Sequence, residues 1–341
     1  MENYLKIVRI DESSITPKYI QLINSILYGL QSGEIEKGKI LPSINEFSCT
    51  LGTARNTVEK AYKELKKMDI IRSIPGKGYF VIQTEFEKPI KILLLFNKLS
   101  THKKIIYDAF TSSLGDNIAL DLYIYNSDYN LFKKILKGKI NEYAKFVIIP
   151  HFIENKEEGY NLINTLPKER LVLMDKLIDN VKGEFGAVYE NFETDIFCAL
   201  EELNSKLSKY KTLNIIFPTQ SCYSKKILIG FLRFCYQYNF NYNIISCLTH
   251  AEIEKSAVYI ILIEDDLVEL IERSKQMKLK VGKDIGIISY NETPSKRIML
   301  DGITTISTDF KMMGEKAAEI LKSNSIEHIE IPFKIICRKS L

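Results

Sequence analysis

The sequence predicts a small α+β domain followed by a larger α/β domain built from two parallel sheets. At 341 residues the chain exceeds one typical compact domain, and its 45% apolar and 26% charged residues are ordinary for a chain that folds throughout. Apolar residues recur at helical spacing up to about residue 84, whereas short apolar strands alternate with amphipathic helices beyond it. The polar segment 84–89 suits a linker between a domain at 1–83 and a domain at 90–341.

The first domain is predicted to contain three helices and a β-hairpin. Thr16 and Pro17 suit the N-cap and the first turn of a helix whose apolar residues repeat every three or four positions. A second helix is predicted within residues 42–52, and Thr53 is predicted to cap a third helix that runs to about Met68. The remaining apolar pattern of the domain predicts strand, turn and strand.

The third helix and the hairpin after it carry the basic charge of the chain. Between residues 52 and 78, seven basic and three acidic residues give an excess of four, which equals the formal net charge of the whole chain. A helix that begins with Arg55 and Asn56 can read guanine and adenine in the major groove, while Lys77 on a wing can reach phosphate or the minor groove. The alternative is an ordinary helical domain with a solvated basic face.

Residues 17–82 resemble the DNA-binding domain of the GntR family. The resemblance rests on GEIEKGKILPS, on LG-x-x-R-x-TV-x-x-AY-x-x-L and on IIRSIPGKGYFV. It implies a winged helix-turn-helix that binds a near-palindromic operator as a dimer, with Asn45 at the backbone and Gly76 close to DNA. Some family members carry arginine where this chain has Asn45 and Glu59, so the operator sequence stays open. The predicted DNA-binding residues are Ser43, Asn45, Thr53, Arg55, Asn56, Thr57, Lys60, Gly76 and Lys77.

The second domain is predicted to contain parallel strands that are buried on both faces, because its apolar runs are short and continuous. A long helix is predicted from Phe192 to Leu207. Seven strands are many for one sheet, so two sheets with a crevice between them are expected. The predicted strands are residues 91–96, 119–125, 146–150, 171–175, 213–217, 259–263 and 284–290.

Polar residues at the carboxyl ends of these strands are candidates for a small-molecule site, because parallel α/β sheets bind ligands there. Tyr223 and Lys226 are predicted to start the helix after residues 213–217, and Phe152 and Tyr223 are predicted to stack on a sugar ring. The effector-binding candidates are Asn97, Lys98, His151, Phe152, Asp175, Lys176, Tyr223, Lys226, Glu264 and Asn291.

The segment VGKDIGIISYNETPSKRIMLDGITTISTDFKMMGEKAAEIL, residues 281–321, resembles the effector domain of LacI-type regulators and periplasmic sugar-binding proteins. The resemblance implies a periplasmic-binding-protein-like domain of two Rossmann-like subdomains, with Asp175 and Asn291 where the family contacts its ligand. Ile227 stands where the family often carries an arginine, and Lys226 is the candidate substitute. Together the two resemblances imply a cytoplasmic regulator, most simply a repressor, that responds to a monosaccharide or, alternatively, to a nucleoside or another small metabolite.

Other classes of function find less support in the sequence. GntR-type heads also occur with an aminotransferase-like domain that holds pyridoxal phosphate, but this chain is short for it and lacks a Gly-rich phosphate loop. The four histidines are too far apart for a metal motif. We therefore expect no enzyme activity, no cofactor and no metal; a constitutive scaffold with a vestigial pocket is the remaining alternative. The six cysteines are expected to be reduced and mostly buried, and no signal peptide or membrane-spanning run is expected.

Overall fold

The computed structural model of the chain describes residues 7–84, 90–115, 118–218, 223–249 and 251–341. The predicted linker residues 85–89 lie outside this part of the chain, as does Cys222. The chain divides into two compact units. Unit 1 contains the described residues up to Phe96 together with Gly115–Tyr125 and Lys134–Ile148, and unit 2 contains Asn97–Leu114, Asn126–Lys133 and Ile149–Leu341.

Unit 1 begins with three helices and a small antiparallel sheet with strand order β1-β3-β2. Its core is formed by apolar residues of all three helices, among them Leu22, Phe47 and Val58. The predicted helix-turn-helix and hairpin are therefore present. The elements are α1 (Lys18–Gln31), β1 (Ile40–Leu41), α2 (Ile44–Thr50), α3 (Arg55–Lys67), β2 (Ile71–Ile74) and β3 (Gly78–Val81).

A side chain caps the start of α2, whereas the cap predicted for α3 is absent. Ser43 Oγ accepts a hydrogen bond from the amide of Glu46, and the Glu46 carboxylate accepts one from the amide of Ser43, which is a capping box. The N-cap of α3 is Ala54, and no side chain caps it. Thr53 lies one position earlier, where its carbonyl accepts a hydrogen bond from Ser48 Oγ at 2.7 Å. The capping role predicted for Thr53 is wrong.

Unit 1 also contains three parallel strands, in which β4 (Ile90–Phe96) lies between β5 (Ile118–Ile124) and β6 (Lys145–Ile148). The segment before α1 runs along the outer edge of β5. The Ile15 amide donates to the Leu122 carbonyl at 2.9 Å, and the Leu122 amide donates to Thr16 Oγ1 at 2.9 Å. The predicted capping role of Thr16 is thus wrong as well: Pro17 takes the N-cap position of α1, and the Thr16 hydroxyl covers the edge of a strand instead.

A polar cluster fastens the same segment to β5. The Asp11 carboxylate accepts hydrogen bonds from Tyr123 Oη at 2.8 Å and from Lys139 Nζ at 3.0 Å, and Lys139 Nζ also contacts Tyr123 Oη at 2.8 Å. Partial burial opposes ionisation, but hydrogen bonds from Ser13, Tyr123 and Lys139 outweigh it and hold the pKa of Asp11 well below its usual value. Within unit 1, the chain before α1 is therefore tied to the first strands of the α/β region.

Unit 2 contains one complete six-stranded sheet, with order β10-β9-β11-β12-β13-β15, and the parallel strands β7, β8 and β14. All neighbours in the complete sheet run parallel except β13 and β15. The strands are β7 (Leu171–Asp175), β8 (Gly186–Tyr189), β9 (Thr212–Ile216), β10 (Asn241–Ile245), β11 (Ala257–Ile261), β12 (Gly286–Tyr290), β13 (Thr304–Thr308), β14 (His328–Glu330) and β15 (Phe333–Ile336).

The helices that follow α3 alternate with these strands. They are α4 (Thr101–Leu114), α5 (Tyr129–Leu136), α6 (Lys156–Asn164), α7 (Phe192–Glu202), α8 (Asn204–Leu207), α9 (Lys226–Gln237), α10 (Glu264–Gln276) and α11 (Phe310–Ser323). The single helix predicted over residues 192–207 is interrupted at Leu203, which separates α7 from α8. The helix after β9 begins at Lys226, so Tyr223 precedes it rather than starting it.

All seven predicted strands are present within two residues of their expected bounds, and the predicted fold class is confirmed. Five strands of the α/β region were not predicted: β8, β10, β13, β14 and β15. The five described cysteines are free thiols, as predicted, but the predicted burial is wrong: four of them are exposed and only Cys235 is buried.

Candidate functional site

The exposed face of α3 forms the first candidate surface. Val58, Ala61, Tyr62 and Leu65 bury the opposite face of the helix in the core of unit 1. The charged and polar residues are thereby left on the solvent side, where Arg55, Asn56, Lys60, Lys63 and Lys67 are exposed. This places side chains that can read base edges at the first turn of α3 and lysines that can meet phosphates farther along it.

Arg55 contacts two neighbouring polar residues, Asn45 and Glu59. Arg55 Nε donates a hydrogen bond to Asn45 Oδ1 at 3.2 Å, and Arg55 Nη1 lies 3.4 Å from Glu59 Oε2. Both partners are exposed, so the interaction is weak, but it orients the guanidinium and offsets part of its charge. Asn45 and Glu59 therefore influence the position and the charge of the Arg55 guanidinium.

The remaining predicted DNA-binding residues surround this helix. Gly76 and Lys77 are exposed at the tip of the hairpin, and the positive φ of 73° at Gly76 suits a residue without a side chain. Lys60 Nζ lies 3.8 Å from the centre of the Tyr19 ring, which directs it across the surface of α1. Ser43 is exposed at its cap, and Thr53 and Thr57 are half-buried. All nine residues remain predicted contacts.

The second candidate site is a polar pocket in unit 2, which we call the inner pocket. It encloses an empty volume of about 430 Å³ including its open mouth. Residues that follow β4, β7, β8 and β12 meet there, as expected for the carboxyl ends of parallel strands. The lining residues are Asn97, Lys98, His102, Lys103, His151, Asp175, Glu190, Phe192, Tyr223, Ser224, Tyr290, Asn291 and Phe310.

A buried ionic cluster lies at the centre of the inner pocket. Lys103 Nζ forms an ion pair with Asp175 Oδ2, and His151 Nε2 lies 3.3 Å from Asp175 Oδ1. Lys103 is only 3% exposed and Asp175 only 4%. Removing charges from water is costly, so such a cluster is weak evidence for stability and is often kept for function.

Burial also shifts the ionisation of three groups near the cluster. It raises the pKa of Glu190, which is nearly buried, to about 7, although Lys103 and a hydrogen bond from Thr308 oppose the shift. Burial and the nearby carboxylates Glu190 and Glu330 raise the pKa of Asp195 to about 8. The pKa of His102 lies well below its usual value because the ring is desolvated and faces Lys103, Lys98 and Lys296.

Two buried polar atoms of the inner pocket have no hydrogen-bond partner within the described part of the chain. They are Asn291 Oδ1 and Tyr290 Oη, on residues that are 9% and 2% exposed. Buried polar groups normally form hydrogen bonds. Two buried polar atoms without a hydrogen-bond partner beside a cavity therefore suit a ligand with hydroxyl groups. Asn291 adopts the left-handed conformation with φ 66°, as does Asp175 with φ 73°, and both side chains line the pocket.

The inner pocket shares lining residues with two wider cavities. His151, Tyr223 and Ser224 also line a cavity of about 1000 Å³, which we call the outer cleft and which contains Lys156, Lys176, Lys225 and Lys226. Lys98, His102, Tyr290 and Asn291 also line a cavity of about 1280 Å³, which contains Glu264 and Lys296. The three cavities are therefore neighbours around one site.

The ten effector-binding candidates divide among these cavities. Asn97, Lys98, His151, Asp175, Tyr223 and Asn291 line the inner pocket, Lys176 and Lys226 line the outer cleft, and Glu264 lines the third cavity. Phe152 also borders the outer cleft, but its ring is 2% exposed and packs edge-on against Phe132 and Tyr160. It has little free ring face on which a sugar could stack.

Several pocket residues could not be picked out from the sequence. Glu190 directly follows β8, so predicting that strand would have found it. Lys103 lies within α4, and Phe192 and Phe310 are the first residues of α7 and α11. The rule that ligands bind at the carboxyl ends of strands does not identify residues in helices. The rings of Phe192 and Phe310 supply the apolar contacts of the pocket, and Phe310 stacks on His102 with ring centres 5.0 Å apart.

Neither a metal site nor a membrane span is found within the described ranges. No three His, Cys, Asp or Glu side chains come together there as a set of metal ligands. None of the described helices is both long enough and apolar enough to cross a bilayer.

Sequence comparison assigns the N-terminal region. Residues 18–81 match the family of bacterial regulatory proteins called gntR. The chain is 36% identical over 74 residues to the HTH-type transcriptional repressor YtrA of Bacillus subtilis, an alignment that covers 22% of this chain and 57% of YtrA. It is 33% identical over 84 residues to the HTH-type transcriptional regulator TreR of the same organism, covering 24% of this chain and 35% of TreR. The alignments thus span little more than half the length of YtrA and about a third of the length of TreR.

Structural comparison assigns the fold of the α/β region. A Lac repressor bound to ONPG aligns with a TM-score of 0.61 at 14% identity, over 84% of this chain and 90% of that one. A ribose operon repressor from Burkholderia thailandensis, described as putative, aligns with a TM-score of 0.58 at 14% identity, over 73% of this chain and 99% of that one. At such low identity the likeness shows a shared fold.

Proposed function

Because residues 18–81 form a GntR-type DNA-binding domain in front of an α/β region with the fold of the Lac repressor, we propose that this chain is a transcription regulator controlled by a small polar effector. It binds operator DNA as a dimer in the cytoplasm and acts as a repressor. Its effector is a monosaccharide, and the chain is not an enzyme and needs no cofactor.

The DNA-binding half of the proposal is supported by the surface of α3. Arg55, Asn56 and Thr57 stand in the first turn, where they can reach base edges, and the exposed lysines of the same helix can neutralise phosphates. Arg55 is already oriented by Asn45 and Glu59 before DNA arrives.

The effector half is carried by one observation, the constellation of Asp175 and Asn291 in the inner pocket. Asp175 offers carboxylate oxygens and Asn291 an unpaired amide oxygen, which suit the hydroxyl groups of a sugar. Phe192 and Phe310 add aromatic surface that suits the apolar face of a sugar ring. The aminotransferase-like alternative is not favoured, since the α/β region has a different fold.

The effector controls DNA binding if it binds one conformation of the protein more tightly than another. An effector can shift the DNA-binding equilibrium only by its difference in affinity for the two conformations. The ionic cluster of Lys103, Asp175 and His151 is a suitable sensor, because any ligand that displaces one of its contacts alters the balance of buried charge.

The first test is a thermal-shift screen of the full chain against monosaccharides, nucleosides and pyridoxal phosphate, since a ligand that binds only the folded state raises the melting temperature. We expect a shift with one class of sugar that is lost in Asn291→Gly, which removes the amide oxygen and tolerates the left-handed backbone. The matched control is Asn324→Gly, at an exposed asparagine outside the pocket with a left-handed backbone at φ 53°. A shift with nucleosides alone would replace the sugar, and a shift with pyridoxal phosphate alone would overturn the proposal.

The second test concerns DNA. Duplexes that bind the full chain are selected from a random pool, and their affinity is measured by fluorescence anisotropy. We expect Arg55→Ala to weaken binding by about 1–3 kcal/mol and to relax the sequence preference. Lys67→Ala, at the far end of α3, should weaken binding to all sequences alike. Equal effects of the two variants on sequence preference would contradict base reading by Arg55.

A further inference from the structure

We propose that the effector is an anionic sugar, in which a phosphate or carboxylate group lies in the outer cleft while the hydroxylated ring occupies the inner pocket. The inference rests on the proposed effector site and narrows the chemical class of its ligand. It comes from the lysines around the site, which outnumber what its carboxyl groups can pair.

The charges around the site are predominantly positive. Across the inner pocket and its two neighbouring cavities, seven lysines face five carboxyl groups among the described residues. Asp175 pairs with Lys103, which leaves six lysines facing four carboxyl groups. A neutral ligand would leave this excess of positive charge uncompensated.

Four of the lysines line the outer cleft together. Lys156, Lys225 and Lys226 are exposed, Lys176 is half-buried, and none of the four forms an ion pair with any residue that the structure describes. Lys176 Nζ instead donates a hydrogen bond to a neutral group, Tyr160 Oη, at 2.8 Å. Four lysines against the two carboxyl groups of Glu157 and Asp179 give the cleft a net positive charge, which suits a ligand that brings its own negative charge.

Residues that line the outer cleft follow directly in sequence after residues that line the inner pocket. Asp175 lines the inner pocket, and the next residue, Lys176, lines the outer cleft. Ser224 lines both, and Lys225 and Lys226 follow it. Neighbouring Cα atoms are about 3.8 Å apart, which is close to the distance between a sugar ring and a phosphate or carboxylate attached to it. One small molecule can therefore use both regions.

The inner pocket is lined by two lysines, Lys98 and Lys103, and by two carboxyl groups, Asp175 and Glu190. Desolvation lowers the pKa of His102, and the charges of Lys103, Lys98 and Lys296 lower it further. Lys296 donates to the carbonyl oxygens of Tyr290 and Asn291 at 3.0 and 2.6 Å, which brings its charge to the edge of the pocket. The excess of positive charge thus lies outside the inner pocket, mainly in the outer cleft, where the anionic group of the ligand is proposed to bind.

The test compares matched ligands by isothermal titration calorimetry on the full chain. The panel contains glucose, galactose, fructose and ribose, their phosphate esters, glucuronate, galacturonate and gluconate, with inorganic phosphate alone as the anion control. We expect at least one charged sugar to bind about tenfold or more tightly than its neutral parent, and its affinity to fall at high salt. Phosphate esters and sugar acids are separate arms, so the panel also identifies the anionic group.

Lysine variants test which residues bind the anionic group of the ligand. Lys176→Gln and Lys226→Gln should each weaken binding of the charged sugar about tenfold and binding of any neutral parent by much less, whereas Lys206→Gln, at an exposed lysine on α8, should change neither. Neutral sugars that bind as tightly as charged ones would overturn the inference but not the proposed function. Inorganic phosphate that binds as tightly as the charged sugar would also overturn it, by showing a simple anion site. If no sugar of either kind binds, the proposed function falls as well.

Discussion

Replacing Asp175 by asparagine is expected to destabilise the protein, because it leaves the Lys103 ammonium buried without its ion-pair partner. Lys103 is 3% exposed and Asp175 is 4% exposed, so solvent cannot replace the lost contact. Breaking such a buried pair typically costs about 3–5 kcal/mol. Glu190 still interacts with Lys103, so we expect a loss near the lower end, about 3 kcal/mol. Asparagine tolerates the left-handed backbone at Asp175, so the change isolates the charge.

A double variant separates an orphaned charge from lost packing. Lys103→Met combined with Asp175→Asn removes both charges and keeps an unbranched apolar chain, so it should recover most of the loss. Asp69→Asn, at an exposed aspartate with a similar backbone conformation, is the control and should change stability by less than about 0.5 kcal/mol. The free energies of unfolding are measured by urea denaturation followed by circular dichroism.

Two results would refute this reasoning. A loss of less than about 1 kcal/mol in Asp175→Asn would show that Lys103 does not depend on Asp175 for its charge. A double variant no more stable than the single one would show that lost packing, rather than the orphaned ammonium, causes the destabilisation.

Three other variants probe the head, the segment before α1 and the pocket. Glu59→Gln should raise DNA affinity in anisotropy titrations, because the Glu59 carboxylate lies 3.4 Å from Arg55 Nη1 and opposes phosphate; unchanged or weaker binding would contradict this. Asp11 has a lower pKa folded than unfolded, so its stabilisation is present above the unfolded pKa of about 4 and is lost as pH falls below it. The stability difference between wild type and Asp11→Asn, measured by urea denaturation, should therefore shrink from about pH 5 to about pH 3, and a constant difference would argue against the Asp11 cluster. Folding raises the pKa of Glu190 to about 7, so ionisation of Glu190 opposes folding as pH rises. The melting temperature of Glu190→Gln, relative to that of wild type, should therefore be higher at about pH 8 than at about pH 5. The same difference in melting temperature at both pH values would count against the burial of Glu190.

The strands that were predictable are those with continuous apolar side chains. β7 and β11 are buried along their whole length, and burial on both faces is what such runs indicate. β13 is equally buried, but its sequence TTIST has the polar composition that is typical of a loop. Its hydroxyl groups find partners that are distant in sequence, as when Thr304 Oγ1 donates to the Arg338 carbonyl at 3.1 Å. β10 has the sequence NYNII and is largely exposed, so it carries no apolar run that would reveal it.

The candidate site was predictable where the topology alone places a residue. Asp175 and Asn291 lie at strand ends, and that rule brings them to the inner pocket without knowledge of their partners. Lys103 could not be found in this way, because it lies in the helical segment THKK beside Lys104. Lys104 is exposed and pairs with Asp108 one turn away, whereas Lys103 is buried against Asp175, which is 72 positions later. Only the packing of α4 distinguishes the two lysines.

The proposed regulator depends most directly on coupling between the effector and DNA. The measurement is an anisotropy titration of the full chain on its selected duplex, with and without a saturating amount of the sugar that binds in the calorimetric panel. We expect the sugar to change the Kd for DNA at least about fivefold, which is the lower end of typical coupling free energies. Asn291→Gly should abolish the change while leaving DNA binding in the absence of sugar intact. A sugar that binds the chain but leaves the Kd for DNA the same would contradict the account.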